Sequence, residues 1–338
     1  MVMALSNMNL PAALADWSKP LEEEIEQRLQ LIEPISLASA IQAACQGGKR
    51  IRPLISLWFA SAVKIRRQEA LSLACLTEWL HNAFLIHDDI QDGDAWRRDQ
   101  PSLWKSHGTA TALNSADWLL SAVYREISHL SIEDSVRARL LDAVSDVHRR
   151  TVEGQQHDLS GRADPDFNLQ RYEALVRSKT GRYLALGMVC VAIVRGYSEN
   201  VIDALWRVGD QLGPAFQIQD DLLDLTPGKG RGGESGNDIR EGKPSILYAH
   251  AMQSAQITNS ERLRLVEIME LPREQTTEQH IEECLELFGK CESLEFARLE
   301  ADQRSQSGRE IFLSIAELST EVHEDFDSIC SFMTERKR

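Results

Sequence analysis

The chain has 338 residues, with 52 acidic against 37 basic side chains and a formal net charge of −15 at pH 7. That balance argues against a surface for nucleic acid, a polyanion that would be repelled, so no nucleic-acid partner is expected. An apolar share of 43% suffices for a sizeable core and argues against disorder, while the length alone admits one large domain or two.

Along the chain, apolar residues recur at mixed spacings of three and four over Leu21 to Leu31, Leu54 to Val63, Ala70 to Ile90, Asn114 to Leu130 and Ser135 to Val152. The same pattern continues over Leu169 to Val194, Val201 to Leu225 and Ile246 to Ala255. This periodicity predicts helices. Alternation over strand-length runs is scarce, and hairpin signals between such runs are absent. Breakers fall at Gly47-Gly48, at Asp99-Gln100-Pro101, over Gly161 to Asp166 and over the glycine-dense Pro227 to Gly236. Beyond Ser260 the chain is acidic and helical. No low-complexity linker divides it, so a single all-α domain over 1–338 is expected, with its motifs in 45–250 and further helices over 260–338.

Cys45, Cys75, Cys190, Cys284, Cys291 and Cys330 are scattered without a C-x-x-C pair, and most read as small core residues of a reducing compartment. Met1 to Trp17 lacks the basic and apolar regions of a signal peptide. The longest apolar run, Tyr183 to Val194, is shorter than the about 20 residues that span a bilayer. A soluble cytoplasmic protein is the expectation.

Two aspartate clusters share one internal spacing: Asp88-Asp89-Ile90-Gln91-Asp92 and Asp220-Asp221-Leu222-Leu223-Asp224. On a helix, positions i and i+4 share a face, so Asp88 stacks over Asp92 and Asp220 over Asp224. Such charge within apolar stretches is costly unless compensated. Paired carboxylate patches invite hard divalent cations, Mg²⁺ above all, which complete their shells with water and substrate phosphates. His81 lies two turns before Asp88 on the same face, with Phe84 between them, and Arg97-Arg98 follow the cluster. Upstream, Gly47-Gly48-Lys49-Arg50-Ile51-Arg52-Pro53 leads three basic residues into a helix start, a natural phosphate site. Lys179-Thr180-Gly181 and Gly154-Gln155-Gln156-His157-Asp158 lie between the clusters, and Asp238-Ile239-Arg240-Glu241-Gly242-Lys243 follows the second.

The order G-G-K-R-I-R-P, H-D-D-x-x-D, R-R, G-Q-x-x-D-L, K-T-G, F-Q-I-x-D-D-x-L-D, D-I-x-E-G-K resembles the trans-isoprenyl (polyprenyl) diphosphate synthases, over roughly Gly47 to Ser245. The resemblance implies an all-α helical bundle around a deep central cavity, usually a homodimer. It also implies a Mg²⁺-dependent transferase that condenses isopentenyl diphosphate with an allylic prenyl diphosphate. Asp88, Asp92 and Asp220, with Asp89, Asp221 and Asp224 around them, would hold three Mg²⁺ ions on the allylic diphosphate. Lys49, Arg52, His81 and Arg98 would bind the isopentenyl diphosphate. Arg97, Lys179 and Lys243 would add to the allylic site, and Thr180 and Gln217 would line the reacting centre. Phe84, one turn below the first cluster, would be the channel floor, and with the small Ala83 beside it favours a product of about ten to twenty carbons, farnesyl or geranylgeranyl diphosphate.

The residue types suit that chemistry. Breaking an allylic C–O bond needs cations for the departing pyrophosphate and an apolar cavity that keeps water from the carbocation. One departure stands out: Gly233 occupies a place where the family pattern has lysine. Three other readings fit the residues less well. A terpene synthase ionises the same diphosphate, but Lys49, Arg52 and His81 argue for an isopentenyl site. A non-catalytic modulating subunit is usually marked by loss of an aspartate cluster, and both are present. A di-metal redox bundle needs several Glu-x-x-His pairs, and Glu78-Trp79-Leu80-His81 is the only evident one.

Overall fold

The computed structural model describes residues 10–98, 100–162, 164–226 and 235–334. Its helices follow the apolar periodicity closely. In chain order they are α1 (Ala12–Leu29), α2 (Ile35–Cys45), α3 (Ile51–Ala62), α4 (Arg67–Gln91), α5 (Leu103–His107), α6 (Thr109–His129), α7 (Asp134–Ser160) and α8 (Leu169–Val176). A π-helical turn, Arg177–Gly181, leads into α9 (Arg182–Arg195), followed by α10 (Glu199–Asp224), α11 (Asn237–Arg240), α12 (Ile246–Gln253) and α13 (Asn259–Met269). The chain continues through α14 (Glu278–Lys290), α15 (Ser293–Leu313) and α16 (Thr320–Thr334). The fold is all-α, as expected.

Three local features depart from the periodicity reading. Helices α2, α5 and α11 lie outside the stretches whose periodicity predicts helices. The expected helix over Leu169 to Val194 is interrupted by the π turn. Finally, Trp96–Arg97 (β1) and Gln100–Pro101 (β2) pair antiparallel, Trp96 opposite Pro101 and Arg97 opposite Gln100. Strands of two residues are too short to show alternation. Most of the glycine-dense stretch, Gly233 included, lies outside the described residues.

Packing groups the described chain into two units. Segments within Met1–Asp146, Ala185–Trp206 and Ile315–Phe332 form the first, and segments within Val147–Leu184, Arg207–Ser314 and Met333–Arg338 form the second. Neither unit is one continuous stretch of chain.

In the first unit, α4 packs against α3 and α6. It is buried nearly all round, with Leu73, Ala74, Leu76, Leu80 and Ala83 fully buried and Thr77, Glu78 and Asn82 enclosed among them. Glu126 of α6 ties this layer together by accepting from Trp79 Nε1 at 3.2 Å and from Arg28 of α1. Helix α16 seats on α3, where Trp58 Nε1 donates to Asp325 Oδ2 at 2.9 Å and the Trp58 ring stacks on Phe326.

The second unit closes around Phe167, Tyr172, Val176, Ile218, Tyr248, Leu265 and Phe288. Side-chain caps define its helix starts: Asn168 accepts from Arg171 N at 3.0 Å at α8, and Thr258 with Glu261 forms a capping box at α13. All six cysteines are buried, and burial pushes the thiols of Cys45 and Cys190 up to about 12. Among the described residues, no helix is long and apolar enough to cross a membrane.

Candidate active site

The expected site residues of the first unit gather around the start of α3 and the end of α4. After α2 the chain turns through Gly47 and Gly48 (φ +69° and +90°) into Arg50, which is itself left-handed at φ +49° and begins α3. Lys49 is exposed on this turn, and Arg52 stands half-buried in the first turn of α3. The side chain of Arg98, from the corner of the β-ribbon, lies across the turn. Its Nη1 donates to the carbonyls of Gln46 at 2.9 Å and Gly47 at 3.1 Å. A Cβ on Gly48 would come within 2.7 Å of the Arg98 guanidinium, so Gly48 is needed for its φ and for the room it leaves.

His81, Phe84 and Asp88 run down one face of α4, as their spacing predicts. His81 is half-buried and Phe84 is buried at 8% exposure. Burial, then the cationic Arg52, Arg98 and Arg97, hold the imidazole of His81 well below its ordinary 6.5, so it is neutral at pH 7. Sign follows from proton counting: the unfolded chain binds more protons than the folded one below that ordinary value. The stability His81 contributes is therefore complete above about pH 6.5 and lost as pH falls toward its folded pKa. Stability of His81→Gln, followed by chemical denaturation from pH 7.5 to 5, should decline less steeply than wild type; parallel curves would refute a neutral buried imidazole.

Both aspartate clusters lie at helix C-termini, a placement that spacing alone did not reveal. Asp88 is in the last turn of α4, and Asp92 caps it, its N–H bonded to the Asp88 carbonyl at 2.8 Å. Asp220 and Asp224 occupy the last turn of α10. This is the negative pole of the helix dipole, where each exposed anion costs about 0.3–1 kcal/mol. Within each cluster the second aspartate is held by protein donors. Asp89 Oδ1 accepts from Arg97 Nε at 2.8 Å and from Arg97 Nη2. Asp221 accepts from Tyr172 Oη and Gln217 Nε2, each at 3.0 Å, and from the N–H of Ile246 at 3.2 Å. Burial, with Asp238 nearby, raises its carboxyl to about 8. Asp224 accepts from Asn237 Nδ2 at 3.3 Å and from the N–H of Asp238 at 3.0 Å.

In the second unit, Lys179 and Thr180 sit on the π turn, with Thr180 buried. Such turns recur at functional sites. Two glycines let other helices approach its backbone. A Cβ on Gly154 of α7 would lie 2.6 Å from Lys179 N, and one on Gly213 of α10 would lie 2.5 Å from Gly181 Cα. Lys179 Nζ bonds Asp158 Oδ2 at 2.9 Å, which gives the G-Q-x-x-D segment a job: its glycine admits the π turn and its aspartate holds the lysine. Lys243 pairs with Glu241 at 2.6 Å, and Glu241 is also met by Arg273 at 2.8 Å. Asp158, Tyr172 and Glu241 were not singled out as site residues from the sequence. Asp158 and Glu241 carry a signal, their registers in G-Q-x-x-D-L and D-I-x-E-G-K, and Tyr172 carries none.

A family model described as polyprenyl synthetase matches residues 35–288. The chain belongs to the polyprenyl synthetase family. It is a transferase, a trans-prenyl diphosphate synthase. The synthase is 32% identical over 290 residues to the geranylgeranyl pyrophosphate synthase of Geoglobus acetivorans, covering 84% of this chain and 86% of that protein. It is 29% identical over 294 residues to the octaprenyl diphosphate synthase of Escherichia coli (strain K12), covering 86% of each. Its fold is similar to that of a geranylgeranyl pyrophosphate synthetase from Pyrococcus horikoshii Ot3, with TM-score 0.86 and 27% identity over 96% of this chain and 98% of that one.

The donor chemistry of the synthase fits a hard divalent cation. Asp88 and Asp92 in the first unit, and Asp220 in the second, are half-buried carboxylates at helix ends whose dipoles repel them, and carboxylate oxygens are the donors that hard divalent cations take.

Proposed function

We propose that this synthase condenses isopentenyl diphosphate with an allylic diphosphate to give a short trans-prenyl diphosphate, farnesyl or geranylgeranyl, in a Mg²⁺-dependent reaction. The observation that carries this reading is the stripe on α4, where a neutral imidazole among arginines is followed by the apolar Phe84 and then by the carboxylates of Asp88 and Asp92.

In this reading Asp88, Asp92 and Asp220 would hold Mg²⁺, which would offset the charge of the departing pyrophosphate. Asp89, Asp221 and Asp224, engaged by Arg97, Tyr172, Gln217 and Asn237, keep the clusters in place. Lys49, Arg52 and Arg98 receive the isopentenyl diphosphate. Neutral His81 can donate a hydrogen bond there without adding to the mutual repulsion of those cations. Arg97, Lys179 and Lys243 stabilise the anion released from the allylic substrate, and their carboxylate partners hold them at fixed positions beforehand. Thr180 and Gln217 border the reacting carbon.

As the allylic C–O bond breaks, its electron pair leaves with pyrophosphate. The isopentenyl double bond attacks the allylic carbon, and the proton lost to re-form a double bond passes to pyrophosphate. No side-chain nucleophile is needed. The reading includes a homodimer working in the cytoplasm.

Purified protein incubated with Mg²⁺, labelled isopentenyl diphosphate and dimethylallyl, geranyl or farnesyl diphosphate should elongate at least one primer. Failure with every primer would sink the reading, and hydrocarbon without isopentenyl incorporation would make the protein a terpene synthase. Product length is a separate question, because the similar proteins include an octaprenyl synthase. Phe84→Ala should lengthen the product by one or more isoprene units; an unchanged distribution by chromatography would remove Phe84 as the floor.

A further inference from the structure

Arg50 sits between Lys49 and Arg52 in sequence, yet its side chain points away from solvent. The side chain is 2% exposed. Nε donates to Glu22 Oε1 of α1 at 2.7 Å, Nη1 donates to Glu78 of α4, and Nη2 donates to the carbonyl of Cys45, the last residue of α2. One planar fork thus joins three helices. The backbone that carries it is left-handed, a conformation that a residue with a side chain holds only when its surroundings impose it.

That backbone directs the neighbouring residues. Lys49 stands on one side of Arg50, exposed on the turn, while Arg52 stands on the other, in the first turn of α3. The same turn supplies the Gln46 and Gly47 carbonyls that hold Arg98. Glu78, the other pole of the clamp, precedes His81 by one turn of α4. Asn82 Nδ2 donates to Glu78 Oε1 at 2.6 Å, fixing that carboxylate. Lys49 and Arg52 thus lie within two residues of Arg50, His81 lies one helical turn beyond Glu78, and the carbonyls that hold Arg98 belong to the turn between Cys45 and Arg50. Stability alone does not account for it. A buried ion pair is often no better than apolar packing, and Glu78 Oε2 meets no donor among the described residues.

We infer that Arg50 and Glu78 are positioning residues: through the left-handed turn they set the spacing of Lys49, Arg52, His81 and Arg98 on the isopentenyl diphosphate, without touching it. The inference rests on the assignment of these four residues to that substrate.

The test compares Arg50→Lys, Glu78→Gln and Glu22→Gln with wild type, using thermal melting, the KM for each substrate, and calorimetric binding of inorganic pyrophosphate without Mg²⁺. Displacement of about 1 Å at a binding group can cost up to about 10²-fold, so Arg50→Lys and Glu78→Gln should raise the KM for isopentenyl diphosphate by about tenfold or more. The KM for the allylic substrate should stay within about twofold of wild type, and pyrophosphate binding should weaken. Folded variants whose two KM values are unchanged, or rise together, would overturn the inference. If the two buried substitutions abolish folding, Glu22→Gln decides by the same criterion, because Glu22 is partly solvated at 22% exposure. Absence of elongation by wild type would instead count against the proposed function, while the pyrophosphate titration would still report whether Arg50 shapes the cationic cluster.

Discussion

Asp88→Asn should lower turnover by about 10³-fold, the scale on which removal of one preorganised charge-stabilising element acts. Asp220→Asn should behave alike at the end of α10. Steady-state assays with a primer check this, and activity within a few fold of wild type would remove these carboxylates from the mechanism. Asp89→Asn should lower stability along with activity, because Arg97 bonds its carboxylate, and Asp221→Asn should do the same through Tyr172 and the N–H of Ile246. Melting temperatures equal to wild type would refute that.

The second large effect is expected at Gly154. A methyl group there would sit 2.6 Å from Lys179 N and 2.9 Å from its Cα and Cβ, and backbone cannot yield as the tip of a long side chain can. Gly154→Ala should therefore destabilise the protein by about 1–3 kcal/mol, the range for overpacking. It should also cut turnover by about 10²-fold, because relief of the clash shifts the π turn that bears Lys179 and Thr180. Gly213→Ala, 2.5 Å from Gly181 Cα, should do the same from the other side. Denaturant melts and kcat measured on the folded fraction test both. A Gly154→Ala enzyme with normal kcat would mean that the π turn tolerates displacement.

What could be read in the sequence follows from the range of the forces involved. Apolar periodicity placed α3, α4, α6, α7 and α10 because burial along a helix leaves a local trace. The D-D-x-x-D spacing located both clusters for the same reason. The π turn left no such trace: Arg177–Gly181 continues the apolar pattern on either side, and only the approach of α7 and α10 shows where the helix widens. Nor could the letters separate Asp220 from Asp221. The donors that hold Asp221 are Tyr172, 49 residues away in sequence, and the N–H of Ile246, 25 residues on. Arg50 is a similar case. In a run of three basic residues nothing marks it as the one turned inward, since its partners Glu22 and Glu78 are each 28 residues distant.

The two tight glycines also differ in how a defect could be repaired. At Gly48 the obstacle is the Arg98 side chain, so a smaller residue at 98 would remove the contact, while the left-handed backbone and the forfeited guanidinium remain as costs. At Gly154 the obstacle is main chain, which every substitution at 179 retains. A smaller residue at 98 should accordingly restore part of the stability lost in Gly48→Ala but not the activity, whereas Gly154→Ala should yield only to true reversion or to changes that move a helix.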